Sequence, residues 1–308
     1  MVTNLAKNII SKILAALMIV SLALGVLSVR PVYANACAWT GATNTTWATA
    51  SNWSGCGGVA PQATDTVTIP DVTNDPALGA NTTIASLTIN SGGVVNGGSF
   101  RLIVQGNVVV DGTFSGTTGR LAMDATGTTL GGSGTIMFTD TGRLDLTVNA
   151  TAISILSSAN LTVDGRIDVK AGVTVTNNGV VTITDTVSGI TGNNATTSIW
   201  INAANSTLNI DGPLLATGTL TASAVGNTVN YSGAVQTVKV TTRLLQYINN
   251  PSPTTRYNGP SNHGNIRVQC QHCSVEAVAE KGKTEKHSQY RLRDLGFLSA
   301  ETFVAAGF

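Results

Sequence analysis

A tripeptide recurs at a fixed spacing in the middle of this chain. Gly-Arg-Leu at residues 119–121 returns as Gly-Arg-Leu at 142–144 and as Gly-Arg-Ile at 165–167, each time 23 residues later. Glycines also stand at intervals of seven or eight residues, at positions 112, 119, 127, 134 and 142, and again at 165, 172 and 179. Turns therefore divide each repeat into three short segments, as in a coil with three sides.

The segments between these turns alternate between apolar and polar residues, which is typical of β-strands with one buried face. In the alignment on the repeat, nine residues are expected to face inward: Leu121, Met123, Ala125, Leu144, Leu146, Val148, Ile167, Val169 and Ala171. One coil cannot bury this stripe alone, whereas coils stacked about 4.8 Å apart pair their strands in parallel and enclose a continuous core. The sequence therefore predicts an all-β fold, a single-stranded, three-sided parallel β-solenoid (β-helix) with 23 residues per coil.

An immunoglobulin-like sandwich is the competing fold, because it also has short strands and frequent turns. The regular recurrence favours the solenoid, since a sandwich has no reason to repeat its strands in register. We assign residues 80–240 to the solenoid, which gives roughly seven coils and a stack roughly 35 Å long.

The first 36 residues have the pattern of a signal peptide. Lys7 and Lys12 form a basic region, residues 13–29 are uncharged and apolar, and Ala34 and Ala36 precede the expected cleavage site. We therefore expect a secreted, extracellular or cell-surface protein that meets the membrane only through this peptide. Two alternatives stay open. The 17 apolar residues approach the length of a membrane anchor, and Cys37 stands where a lipoprotein carries its lipid.

Residues 37–79 interrupt the repeat and hold three of the four Trp. We predict that they form an N-terminal cap, because the first coil of a stack exposes a strand edge that invites aggregation. Cys37 and Cys56 predict a disulfide in a chain that leaves the reducing cytosol. Trp39, Trp47 and Trp53 are expected to form the core of the cap. The alternative is that their indole rings stack on sugars.

The start of this cap has a recognisable pattern of residues. Trp39, Gly41, Trp47, Asn52, Trp53, Pro61 and Asp65 precede a Val-Thr-Ile segment. This pattern resembles the opening of secreted bacterial β-helix proteins of the adhesin and pectin-lyase-like kind. The resemblance implies the fold and export. In such proteins the repeats commonly serve as stalk, adhesin or surface-layer material, and a minority cleave polysaccharides.

The chain changes character near residue 241. Residues 37–240 hold 17 charged residues and no Glu or His, whereas residues 241–308 hold 13 charged residues and all three His. Residues 230–242 resemble a bacterial surface repeat that usually continues with Tyr-Tyr-Asn, but Arg-Leu-Leu-Gln-Tyr follows here. Residues 244–247 can be encoded by the codons CTA CTA CAA TAT, and the same nucleotides displaced by one base read Tyr-Tyr-Asn. We hypothesise that residues 241–308 are an aberrant, out-of-frame or poorly ordered tail; detection of tail peptides by mass spectrometry, with an in-frame gene sequence, contradicts this.

The strands that carry the repeat also carry charge on their outward positions. These positions are Arg120, Ala122, Asp124, Arg143, Asp145, Thr147, Arg166, Asp168 and Lys170. Stacking places the three arginines in one column and Asp145 beside Asp168. Such groups suit a polysaccharide lyase or hydrolase, with Asp as acid, base or cation ligand and Arg or Lys neutralising a sugar acid. The alternative, which we favour, is a solvated face whose salt bridges each contribute under about 1 kcal/mol.

The sequence has few residues that point to nucleic-acid binding or to a metal or cofactor site. The net charge of +1 argues against a nucleic-acid partner. Cys270 and Cys273 form a single Cys-x-x-Cys pair without a second pair at metal-ligand spacing, so no metal or cofactor is predicted.

Two functions are therefore weighed. We favour a non-catalytic structural or adhesive surface protein that contacts glycans or neighbouring surface proteins. The alternative is a β-helix polysaccharide lyase or glycoside hydrolase acting on acidic polysaccharide, with five site residues: Arg143, Asp145, Arg166, Asp168 and Lys170.

Overall fold

The computed structural model shows a parallel β-solenoid of about seven turns with about 22 residues per turn. It describes residues 34–146, 149–192, 195–233, 236–239, 266–270, 273–275 and 303–305, together with residues 12, 13 and 18. The predicted fold class is confirmed, and the sandwich is excluded because the strands of successive coils pair in parallel in all three large sheets. Most of the predicted signal peptide lies outside the described residues. Among the described residues, no helix has the length and apolar character needed to cross a membrane.

Three sheets form the sides of the coil, and the chain visits them in turn. Sheet A contains β1 (Ala36–Trp39), β2 (Trp53–Ser54), β3 (Thr66–Ile69), β5 (Ser86–Ile89), β8 (Val108–Val110), β11 (Thr128–Gly131), β14 (Ala152–Ile155), β17 (Thr174–Asn177), β20 (Ile199–Asn202) and β22 (Thr219–Thr221). Sheet B contains β6 (Val94–Gly98), β9 (Thr113–Gly116), β12 (Thr135–Phe138), β15 (Asn160–Asp164), β18 (Val180–Ile183), β21 (Thr207–Ile210), β23 (Thr228–Tyr231), β25 (Ile266–Cys270) and β27 (Phe303–Ala305). Sheet C contains β4 (Thr82–Ile84), β7 (Arg101–Val104), β10 (Arg120–Met123), β13 (Arg143–Leu146), β16 (Arg166–Val169) and β19 (Ile190–Thr191).

The register of sheet C follows the repeat seen in the sequence. Leu121 pairs with Leu144, and Leu144 pairs with Ile167, so the predicted stacking is confirmed. All three side chains lie in the core. The inward stripe ends earlier than predicted, because Ala125 is only half-buried and Ala171 is exposed. Both alanines lie beyond the last residues of their strands, where the alternation of a strand no longer applies. Val148 lies outside the described residues.

The glycine of the repeated tripeptide lies at the corner between sheets B and C. A Cβ atom on Gly119 would lie 2.3 Å from the carbonyl oxygen of Phe100, and one on Gly142 would lie 2.5 Å from the carbonyl oxygen of Thr117. No side chain fits at such a distance from the preceding coil. The tripeptide therefore encodes a tight corner, an outward arginine and an inward aliphatic residue.

The N-terminal segment is part of the stack and not only a cover for it. β1 pairs in parallel with β3, and β3 pairs in parallel with β5, so residues 37–79 contribute strands to sheet A. β2, which follows a short 3₁₀ helix (Ala50–Asn52), pairs antiparallel with β1. The predicted disulfide between Cys37 and Cys56 is present.

The tryptophans of this segment form a buried cluster. Trp53 makes edge-to-face contacts with Trp39 and Trp47, with ring centroids 4.9 and 4.7 Å apart. All three side chains are buried. They therefore form the core of the N-terminal end, as expected, and offer no exposed ring face on which a sugar can stack.

A row of asparagines inside the coil was not anticipated from the sequence. Asn177, Asn202 and Asn227 are buried at intervals of 25 residues. The Nδ2 of Asn177 donates to the Oδ1 of Asn202 at 2.8 Å, and the Nδ2 of Asn202 donates to the carbonyl oxygen of Thr228 at 2.9 Å. These bonds satisfy amides that would otherwise be buried without partners.

Little of the C-terminal segment is described. β25 pairs in parallel with β23 and antiparallel with β27, while β24 (Gln236–Val238) pairs in parallel with β26 (Cys273–Val275). The rest of residues 241–308, including the centre of the Cys-x-x-Cys pair, lies outside the described residues. The reading-frame hypothesis therefore stays a prediction.

Candidate functional site

The outer face of sheet C carries a column of arginines. Arg101, Arg120, Arg143 and Arg166 occupy the same register position on four adjacent strands. The sequence pattern predicted the last three and missed Arg101, because Phe100 replaces the corner glycine and the spacing to Arg120 is 19 residues. The Arg-Leu pair at 101–102 is the signal that identifies it.

A second outward column lies two residues further along each strand. It contains Ile103, Ala122, Asp145, Asp168 and Thr191. Asp145 and Asp168 pair directly, as predicted, but their exposed fractions are only 1% and 2%. The prediction of a fully solvated face is therefore wrong at these two positions. The longer cationic side chains beside the two carboxylates contact them and exclude water from them.

Asp145 contacts three cations from three different strands or turns. Its Oδ1 accepts a hydrogen bond from the Nε of Arg143 at 2.7 Å and lies 3.4 Å from the Nζ of Lys170. Its Oδ2 accepts from the Nη1 of Arg120 at 3.3 Å. Two of these ion pairs cross between coils, so Asp145 links the coil before it to the coil after it.

The carboxylate of Asp168 makes more contacts than that of Asp145. Its Oδ1 lies 2.7 Å from the Nε of Arg166 and accepts a hydrogen bond from the Oγ1 of Thr191 at 2.8 Å. Its Oδ2 lies 2.8 Å from the Nε of Arg143 and accepts from the Nζ of Lys170 at 3.0 Å. The five predicted site residues thus form one continuous ion-pair network.

The protonation of Asp168 follows from these contacts. Burial by itself raises the pKa of this carboxyl, but hydrogen bonds from Lys170 and Thr191 and the positive charges of Lys170 and Arg166 outweigh burial. The pKa of Asp168 therefore lies below its ordinary value of 3.8. A carboxylate held ionised in this way is a poor proton donor at neutral pH, where a general acid needs a raised pKa.

The charges of this face do not balance. The cationic ladder, defined as Arg101, Arg120, Arg143, Arg166 and Lys170, carries five positive charges, whereas Asp145, Asp168 and Asp124, which the repeat aligns with Lys170, carry three negative ones. In the column next to the arginines, carboxylates stand beside Arg143 and Arg166 only. Next to Arg101 and Arg120, the same column holds Ile103 and Ala122. The excess of positive charge therefore lies at the end of the ladder that begins with Arg101.

In the part of the chain that the structure describes, no three His, Cys, Asp or Glu side chains come together to form a metal site.

Comparisons with protein-family models, with curated proteins and with solved structures find no match to this chain. The fold itself defines the class: this is a parallel β-solenoid repeat protein with a disulfide close to its N-terminal strands.

Proposed function

We propose that this chain is a secreted or cell-surface scaffold, structural or adhesive and not catalytic, of the kind formed by the β-helices of bacterial adhesins. One observation carries the proposal: the two carboxylates best placed for catalysis are buried beneath cations and are saturated with ion pairs and hydrogen bonds. Such carboxylates fasten neighbouring coils together. With exposed fractions of 1% and 2%, they present almost no surface to a substrate.

The network strengthens the stack where a repeat array needs it. Stability in such arrays is the sum of the stability of each repeat and of its interface with the next one. Arg120 to Asp145 and Arg143 to Asp168 are contacts between adjacent coils. The carboxylates of both pairs are buried and each contacts several cations, which distinguishes them from isolated surface pairs, which contribute little. The network therefore stiffens the contact between adjacent coils.

The outer face of sheet B suits display. Thr113, Thr135, Thr162 and Thr182 lie in one register column, and all four are partly exposed. Threonine hydroxyls both donate and accept hydrogen bonds, so a regular column of them offers paired groups to glycans or to a neighbouring protein. Export follows from the signal-peptide pattern, and the disulfide is of the kind that persists in oxidising compartments.

Fractionation of producing cells tests the proposed location. We expect the chain in the medium or on the cell surface with Cys37 and Cys56 oxidised; a cytosolic, reduced protein contradicts the proposal.

Incubation with acidic polysaccharides tests the proposed absence of catalysis. The full chain is expected to release no new reducing ends and no unsaturated products above a blank. Turnover that disappears in Asp168→Asn establishes the lyase or hydrolase alternative and refutes the scaffold. The release assay therefore decides between the two functions.

A further inference from the structure

We propose that Arg101 and Arg120 form a binding site for an anionic group, a carboxylate or a sulfate, carried by a linear polysaccharide. The choice of a polysaccharide rests on the proposed display function. The anion site itself rests on the geometry of sheet C.

The first observation is that the guanidinium of Arg101 makes no ion pair with any described residue. In the part of the chain that the structure describes, its guanidinium lies within 4 Å of no carboxylate, and its Nε has no hydrogen-bond partner. Its backbone N–H, by contrast, donates to the Oδ1 of Asn81 at 2.8 Å, so its strand is well fixed. The backbone of Arg101 is therefore held by a paired strand, while its charge has no carboxylate partner among the described residues.

The second observation is that Arg120 is only partly neutralised. Its side chain is 41% exposed, and one ion pair joins it to Asp145, at 3.3 Å. The same carboxylate makes a shorter contact, 2.7 Å, with Arg143. Most of the guanidinium fork of Arg120 is thus free to donate to a ligand.

The arrangement of the two residues matches an oxyanion of this kind. They are direct register partners on β7 and β10, which places their Cα atoms about 4.8 Å apart. Two arginines whose backbones lie this close can both direct guanidinium groups to one carboxylate or sulfate through several charge-assisted hydrogen bonds. Ile103 and Ala122, next along these strands, bring no opposing charge, and the partly exposed Ile103 gives an apolar contact to the ring that carries the anion.

A polysaccharide fits the ladder better than a nucleic acid does. The ladder is one residue wide, and the whole chain has a net charge of only +1, whereas nucleic-acid binding requires a broad basic surface. The rise of about 4.8 Å per coil is close to the length that one pyranose adds to an extended chain. A linear polyanion lying along the solenoid therefore brings its anions to Arg101 and Arg120, at the end of the ladder where positive charge is in excess.

Isothermal titration calorimetry of the full chain with three probes tests this site. The probes are a heparin-derived octasaccharide, an oligogalacturonate and a neutral cello-oligosaccharide, so that sulfate, carboxylate and uncharged sugar are distinguished. We expect binding of at least one anionic probe, weakening as salt screens the charges, and no binding of the neutral probe. Arg101→Gln and Arg120→Gln are each expected to weaken affinity about tenfold, the loss of one charge-assisted hydrogen bond.

Lys239→Gln is the matched control, because it removes one positive charge outside sheet C. It is expected to bind as the parent chain does. Arg101→Gln breaks no ion pair in the described structure, so we expect this variant to fold as the parent chain does. Circular dichroism of the variant checks that its fold is unchanged. The proposal is overturned if neither anionic probe binds, if Arg101→Gln binds like the parent, or if Lys239→Gln weakens binding equally. These outcomes leave the scaffold function standing, since location and turnover decide that separately.

Discussion

Replacing Asp168 by asparagine removes the central charge of the ion-pair network with little change in volume. The carboxylate is 2% exposed and contacts Arg143, Arg166 and Lys170 within 3.0 Å. The neutral amide would leave Arg143 and Lys170 paired with Asp145 alone, and Arg166 with no carboxylate partner among the described residues. Removing one partner of a buried ion pair costs about 3–5 kcal/mol, and because Arg166 remains partly exposed to water we expect the lower end, about 3 kcal/mol.

Equilibrium unfolding in urea, followed by circular dichroism, measures this loss. With a slope of about 3 kcal/mol per molar, the midpoint of Asp168→Asn is expected about 1 M urea below that of the parent. Asp140→Asn makes the same chemical change on an exposed turn and is expected to leave the midpoint unchanged. A loss below about 0.5 kcal/mol for Asp168→Asn, the range of ordinary surface substitutions, refutes the structural role of the network.

The difference in the free energy of unfolding between the parent chain and Asp168→Asn changes with pH in a defined direction. The pKa of Asp168 in the folded chain lies below its ordinary value, so the unfolded chain binds more protons at acid pH. The stabilisation is therefore fully present above the ordinary pKa and is lost as the pH falls through the lowered value. The difference between the parent and Asp168→Asn should stay constant near neutrality and narrow below about pH 4. A difference that widens in acid contradicts the reasoning.

Three further predictions concern the scaffold. Gly142→Ala forces a methyl group against a carbonyl oxygen and a phenylalanine ring, and should lower stability by about 1–3 kcal/mol in urea unfolding; Gly79→Ala, where the new methyl group meets nothing, should be neutral. Asn202→Ala removes buried hydrogen bonds and should cost about 1–3 kcal/mol in the same assay, whereas a neutral result denies the asparagine row a structural role. Cys37→Ser opens the loop closed with Cys56 and should lower the unfolding free energy by about 3 kcal/mol; an unchanged thermal transition contradicts this.

The repeat predicted the architecture because it reports directly on stacking. Gly142, Arg143 and Leu144 each mark a different place on the coil, a corner, the outside and the inside, and their recurrence fixes the register of sheet C. The disulfide could also be predicted, since two cysteines lie close together just after a segment with the pattern of a signal peptide. The site residues came together for the same reason: equivalent positions of adjacent coils are neighbours in a parallel sheet.

What the sequence could not show was the covering of one side chain by another. Alternation assigns Asp145 and Asp168 to the outside, but it has no information about how far Arg143 and Lys170 extend over them. Arg101 was missed because its coil is shorter and lacks the corner glycine, so a search for an exact spacing passes over it. The number of residues between equivalent positions changes where a corner is shorter or longer, whereas the pairing of the strands stays the same.

The stacking of equivalent residues is tested most directly by methyl nuclear Overhauser effects in the labelled full chain. Direct register pairing brings the inward methyl groups of Leu121 and Leu144, and of Leu144 and Ile167, within about one strand spacing of each other. We predict strong cross-peaks for both pairs. Their absence, or cross-strand contacts of an antiparallel pattern between these segments, would contradict the solenoid and every inference built on its register.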